Sequence, residues 1–216
     1  MLAVGLLLVA RTGRAAITRL AIAPGSTLRL EGSSNLAGWR CRGTAMSGSM
    51  EVDAPIDKIN EVIDRIEDGN MSVWMSDPSG ARFPQPRFEL SIPVDSLRCS
   101  GGRPMERDMR NAMNAEHHPL IQFRFTGVAG AIEHDLDEHV YRAAVAGQLS
   151  LAGALRDIEL SVTAQRLTNR RFRLQSRLPL RMSDFGIEAP TALFGLIHAD
   201  DALSVEFDLV LDVTNA

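Results

Sequence analysis

Leu203-Ser204-Val205-Glu206-Phe207-Asp208-Leu209-Val210-Leu211-Asp212 alternates apolar and polar residues nearly to the end of the chain. A period of two places Leu203, Val205, Phe207, Leu209 and Leu211 on one face, with Ser204, Glu206, Asp208 and Asp212 on the other. One buried face and one wet face mark an antiparallel sheet. The pattern recurs where Ile121, Phe123 and Phe125 alternate with Gln122, Arg124 and Thr126. Strand-like segments lie near 26–32, 38–52, 87–95, 120–129, 139–151, 155–166, 171–182 and 203–213, and breaks such as 127–130 and Thr168-Asn169 separate them. The expectation is an all-β antiparallel fold of about eight strands, either a closed barrel or a two-sheet sandwich. Closure would leave no long edge strand open to aggregation.

Two segments follow a helical period. From Ala54 to Asp68 the apolar residues are Ile56, Ile59, Val62, Ile63 and Ile66, with Asp53 as the expected cap, Pro55 in the first turn and Gly69 at the end. From Pro104 to Ala115, Met105, Met109, Ala112 and Met113 share a face. Methionine adapts to variable apolar shapes, so this stripe either plugs one end of the barrel or lines a cavity. The stretch from Asn70 to Pro86 reads as an exposed loop anchored by Trp74.

The chain has 216 residues, enough for one generous β domain, and its 45% hydrophobic content is ordinary for a packed protein. A net charge of −4 and 5% aromatic residues give neither a phosphate track nor a set of base-stacking platforms, so nucleic acid is not an expected partner. Arg166, Arg170, Arg171 and Arg173 read as a solvated strand face. Leu2 to Ala10 is apolar but too short for a bilayer, which takes roughly 20 helical residues. Its length suits a secretory signal with a small-x-small site at Gly13-Arg14-Ala15, so residues 1–15 are expected to be removed on export. A frayed N-terminal strand is the other reading. Cys41 and Cys99 are the only cysteines, and an even count in an oxidising compartment points to one disulfide. Two buried thiols are the alternative. A metal on this pair is not expected, because no His or Cys sits at ligand spacing from either.

No G-x-S-x-G, H-E-x-x-H, G-x-G-x-x-G or phosphate-loop motif is present. His117 and His118 would point to opposite faces of a strand and could not share a metal. His134 and His139 flank Asp135, Asp137 and Glu138, which reads as a solvated hairpin tip. Asp184 reads as a turn residue. An enzyme is therefore not expected, nor is a cofactor.

Laid out in order, the segments resemble the YceI family of exported lipid-binding proteins. Gly32-Ser33-Ser34-Asn35 followed by Trp39 is similar to the family's opening strand, and His118-Pro119-Leu120-Ile121-Gln122-Phe123-Arg124-Phe125 to the strand after its helix. Gly147-Gln148-Leu149-Ser150-Leu151-Ala152-Gly153 resembles its hairpin, and Arg181-Met182-Ser183-Asp184-Phe185-Gly186-Ile187 its Arg-x-Asp-Phe-Gly-Ile segment, with Asp200-Asp201 ahead of the last strand. The resemblance implies a lipocalin-like extended barrel over residues 26–216, with the helix near 54–68 as an insertion. It also implies a long apolar pocket for a polyisoprenoid or related amphiphile, in the periplasm or another exported compartment. Met105, Met109, Met113, Ile121, Phe123 and Phe125 then become the first candidates for the cavity wall. Trp39, Phe185, Leu193 and Phe194 come second. Transient contact with a membrane or membrane protein, and a homodimer, are partners compatible with this reading. Its rivals are a solid barrel that docks a partner through its outer face, and an enzyme using His118 or Asp184 as a base.

Overall fold

The alternating C-terminal segment becomes the longest strand in the structure, a computed structural model that describes residues 16–68, 86–135, 139–192 and 196–214. This strand, β12 (Ile197–Thr214), pairs along one side with β10 (Arg171–Arg181), from Arg171↔Asp212 to Arg181↔Ala202. Along its other side it meets first β2 (Thr27–Ser34) and then β1 (Thr18–Ile22). These two form one run, bent at 23–26, where Gly25 takes φ +97° and the Ser26 hydroxyl donates to the carbonyl of Ala23. The next run bends in the same way. β3 (Trp39–Gly43) lies on β2, and β4 (Ser47–Val52) lies on β1. A third run contains β5 (Arg87–Pro93) on β4, a 3-10 turn at Val94–Ser96, and β6 (Leu97–Cys99) on β3. Hydrogen bonds between the Thr44 and Ser96 segments stitch the last two bends together.

Three long strands complete the circuit: β7 (Leu120–Asp135), β8 (Val140–Leu151) and β9 (Ala154–Thr168). The path β1-β4-β5-β7-β8-β9-β10-β12 returns to β1 and closes an eight-stranded antiparallel barrel. β2, β3 and β6 extend it at one end, and the short β11 (Thr191–Ala192) pairs with β12. The β8–β9 hairpin turns on Ala152 (φ +51°) and Gly153 (φ +84°), the two left-handed residues that a two-residue primed turn requires.

Several expectations need correction. The segment 38–52 is two strands, because the chain bends between partners β2 and β1. Residues 127–130 make no turn; β7 runs through them and takes up the slack in register shifts between Phe125 and Gly127 and between Val128 and Ile132. Asp200-Asp201 lies within β12, at a bulge between Ala199 and Leu203. β1 and β6 lay outside the expected strands.

α1 (Ile56–Glu67) begins at Pro55 without a side-chain cap, because Asp53 is drawn away to Arg87, 3.0 Å from its carboxylate. Val62 and Ile66 are buried under Tyr141 on the outside of the barrel. Arg166 ties this helix down through Asp64 (2.6 Å) and Glu67 (2.5 Å), with only 17% of its side chain exposed, so it is a buried strut and not part of a solvated face. Arg171 pairs with Asp212 and Arg173 with Asp208 on the outer side of β10 and β12. α2 (Gly102–Ala112) ends earlier than the periodicity predicts, and His117 falls in the turn after it, not in a strand. His134 stacks on Tyr141 at 4.5 Å between ring centroids, so it is held against the barrel and not free at a hairpin tip. Burial, with Glu67 alongside, pushes the Tyr141 phenol upward. Residues 1–15, Gly69, Trp74, Asp137 and Glu138, on which other expectations fell, lie outside the described residues.

Candidate binding cavity

The barrel is solid at one end and hollow at the other, and its pairing register shows why. Near the β1 end all strands pair on both sides, and Leu209 and Leu211 are fully buried there against an apolar cluster that includes Leu20, Met50, Phe125, Phe172 and Leu174. This cluster forms a floor. Toward the other end two seams open. β9 and β10 pair only from Thr168 back to Val162, leaving Arg177–Arg181 with β12 as sole strand partner. Pro179 sits in that half-paired stretch, where a residue lacking an amide hydrogen is tolerated. The second seam lies beyond β6, whose only strand partner is β3.

Each seam is filled by a non-strand element. The 3-10 turn Met182–Phe185 closes the first, with Met182, Phe185 and Ile187 buried and Arg156 Nε donating to the Asp184 carbonyl. α2 fills the second. It follows directly from β6, which is held to β3 by the Cys41–Cys99 disulfide between in-register residues. Met109 Sδ lies 3.9 Å from both cysteine sulfurs, and the Cys99 amide donates to Glu106 Oε1 at 3.3 Å. The helix is thus seated on the disulfide.

The splayed strands and α2 enclose a cavity of about 560 Å³. Its wall is built from inward positions of every long strand, among them Leu30, Leu90, Leu149, Leu160, Leu180, Val205 and Phe207. Trp39, Met105, Met109, Met113, Ile121 and Phe123 also stand on the wall, so the structure brings these six sequence candidates together. Phe125 does not; it is one step further toward the floor and packs into the core there. Phe185 is only 4% exposed but belongs to the seam plug, not the wall. Leu193 and Phe194 lie outside the described residues.

Two glycines of the quoted motifs give aromatic rings their place. A side chain at Gly147 would overlap the Phe123 ring, and one at Gly32 would overlap the indole of Trp39, its cross-strand partner. The Trp39 indole N–H donates to the Ser33 carbonyl at 3.1 Å, which fixes the ring at the mouth.

Polar groups gather at that mouth. Among the described lining residues, Asp108 and Arg181 alone carry charge, with Ser34, Ser100 and Thr191 as neutral polar neighbours. Close to Arg181, Asp201 accepts the Ser183 hydroxyl (2.7 Å) and amide (2.8 Å), and these bonds hold its carboxyl below the usual carboxylate range. His118 rests against the Gly153 turn and Asp184 is exposed, so neither proposed base reaches the wall. Among the described residues no group of three His, Cys, Asp or Glu side chains could hold a metal, and no helix is long and apolar enough to cross a membrane. Such a wall can bury an apolar chain, at about 0.8 kcal/mol per methylene, and leave a polar head at the mouth. Sequence reading missed the contributions of β2, β5, β8, β9, β10 and β12 to this wall, although their alternation was visible.

The fold matches that of a polyisoprenoid binding domain from Saccharophagus degradans implicated in plant cell wall breakdown, with a TM-score of 0.60 and 15% identity over 92% of this chain and 100% of that one. It is also similar to Burkholderia cenocepacia BcnA, with a TM-score of 0.55 and 16% identity over 86% and 95% of the two chains. No curated protein sequence matches the chain. The sequence itself matches the YceI-like domain over residues 39–211, most of its length, and the chain belongs to that family.

Proposed function

We propose that this protein is a non-enzymatic carrier that holds the tail of a long-chain amphiphile in the hollow half of the barrel. The tail is a polyisoprenoid, an isoprenoid quinone or a fatty-acyl chain. The observation that carries the reading is the cavity of about 560 Å³, whose described wall is apolar except at the mouth. A barrel built only as a docking module would fill that space with side chains. The presence of a polyisoprenoid binding domain on the same fold supports the cargo class. The disulfide supports an exported, oxidising location, since such bonds are rare where thiols are kept reduced.

The test is a direct titration. Delipidated protein is mixed with an isoprenoid quinone or a fatty acid while intrinsic Trp fluorescence is followed, because Trp39 stands on the wall. Saturable quenching with one tail per chain supports the reading. A flat response to both ligand classes contradicts it.

A further inference from the structure

We propose that the rim of this cavity docks on a phospholipid bilayer, seated by Leu36 and Leu196. This rests on the reading of the cavity as a tail site. Among the described residues these two are the most exposed large apolar side chains, at 73% and 75%. Both belong to the mouth. Leu36 lines it, and Leu196 precedes Ile197, which lines it too.

The two leucines come from different loops, yet they are held together by a built clamp. Asn35 Nδ2 donates to the Leu196 carbonyl at 2.8 Å. The Asn35 Oδ1 accepts the His198 amide at 3.0 Å, and the Asn35 amide donates to the His198 carbonyl at 3.1 Å. The Ser34 hydroxyl accepts the Leu36 and Ala37 amides and donates to the Ala37 carbonyl at 2.8 Å. A hydrogen-bonded frame therefore presents two apolar tips to the outside, where no described residue covers them.

Arginines beside mouth-lining residues of α2 and β3 can reach lipid phosphate. Arg103 and Arg107 stand one turn apart on the exposed side of α2, and 80% of the Arg40 side chain is exposed, with its nearest carboxylate, on Glu31, 3.9 Å away. Arg107 reaches Asp108 only at 3.5 Å. Carboxylates share this end: Asp200 accepts the Ser33 hydroxyl and Asp201 accepts from Ser183, hydrogen bonds that leave a carboxylate's charge in place. Asp108 at the mouth and the exposed Asp184 and Glu188 are further acidic groups at this end. Arginine stems can lie over apolar surface while their guanidinium groups reach phosphate.

The cargo supplies the need for such contact. Each methylene drawn from a bilayer into water lowers the population of escaped lipid about fourfold, so long tails do not leave membranes freely. A mouth placed against the bilayer removes that aqueous step. Two leucines give weak, reversible attachment, as a shuttling protein requires.

The experiment uses the full chain with vesicles of phosphatidylglycerol and phosphatidylethanolamine, and a pyrene-labelled fatty acid as tail probe. Leu196→Ser is the main variant, because Leu196 is exposed and off the cavity wall; Arg103→Gln/Arg107→Gln is the second. The expected result is vesicle co-sedimentation that falls about tenfold in Leu196→Ser, together with tail transfer whose rate rises with acceptor-vesicle concentration in the unaltered protein only. Equilibrium loading of the probe stays within twofold in both variants. Equal co-sedimentation of unaltered protein and Leu196→Ser, or a transfer rate independent of vesicle concentration, overturns the proposal. Leucine-dependent dimers without vesicle binding overturn it in favour of a second copy as occupant. Vesicle docking without probe loading would uphold the rim and sink the cargo reading instead.

Discussion

Met109 Sδ lies 3.9 Å from Cys99 Sγ and as close to Cys41, so the helix that walls one side of the cavity rests on the disulfide that fixes the strands beneath it. The bond closes a loop of 58 residues, which in the chain-entropy account restricts the unfolded state by about 4 kcal/mol. Cys41→Ser/Cys99→Ser is expected to lose about 2–4 kcal/mol in denaturant unfolding. Amides of α2 should then exchange with solvent well before those of β7 and β8, as hydrogen exchange would read out. Equal protection of helix and strands would separate the helix from the disulfide.

Floor and wall positions should respond in opposite ways. Leu211 is fully buried in the floor, and Leu211→Ala should cost about 2–5 kcal/mol of stability. Tail affinity should stay near its starting value. Val205 faces the hollow, so Val205→Trp has space to enter. It should leave the unfolding midpoint nearly unchanged while lowering tail affinity tenfold or more. Calorimetry and ligand titration on the pair check both halves.

Gly147 gives the Phe123 ring its seat across β7 and β8. Gly147→Ala puts a methyl into that ring and near the Arg124 carbonyl, and should cost about 1–3 kcal/mol. Shrinking the ring in Gly147→Ala/Phe123→Leu should recover part of the loss. A double-mutant cycle with no coupling would count against the stacked geometry.

The outer face of the closing strand sets an acid dependence. Asp208, bonded to Arg173, and Asp212, bonded to Arg171, are both held below the usual carboxylate range. Carboxyls with depressed folded values contribute stability that is present above their unfolded values, near pH 4, and lost as pH falls through the lower folded ones. Stability should therefore decline below about pH 4, and Asp208→Asn/Asp212→Asn should flatten that decline. Both pairs are exposed enough that solvent screens them, so the effect in physiological salt is small. Urea unfolding as a function of pH measures it.

Much of the barrel was legible because period-two patterning survives wherever a strand is buried on one face, as at Leu203–Leu211. The bends at 23–26 and 44–46 were not legible. There one strand changes partners without losing its alternation, which depends on burial and not on the identity of the neighbour. Asp53 shows the limit of local signals: a good cap by type, it is taken by Arg87, which lies 34 residues away in sequence. For the site, the methionine face of α2 was readable as apolar, but only the gap beside β6 decides that it lines a cavity. Alternation alone also could not separate Phe123 on the wall from Phe125 in the floor, since both positions face inward. Pro179, read only as part of a strand over 171–182, is a residue whose missing amide hydrogen suits the open seam between β9 and β10.

On the proposed reading, the hollow end of the barrel holds a long apolar tail. Native mass spectrometry of the full chain, purified without detergent from the compartment where it is made, followed by lipid extraction, tests it most directly. The expected result is a mass excess of one long-chain amphiphile per protein, released on unfolding and recovered in the extract. Protein that arrives empty, and stays empty when offered isoprenoid quinones and fatty acids, would contradict it.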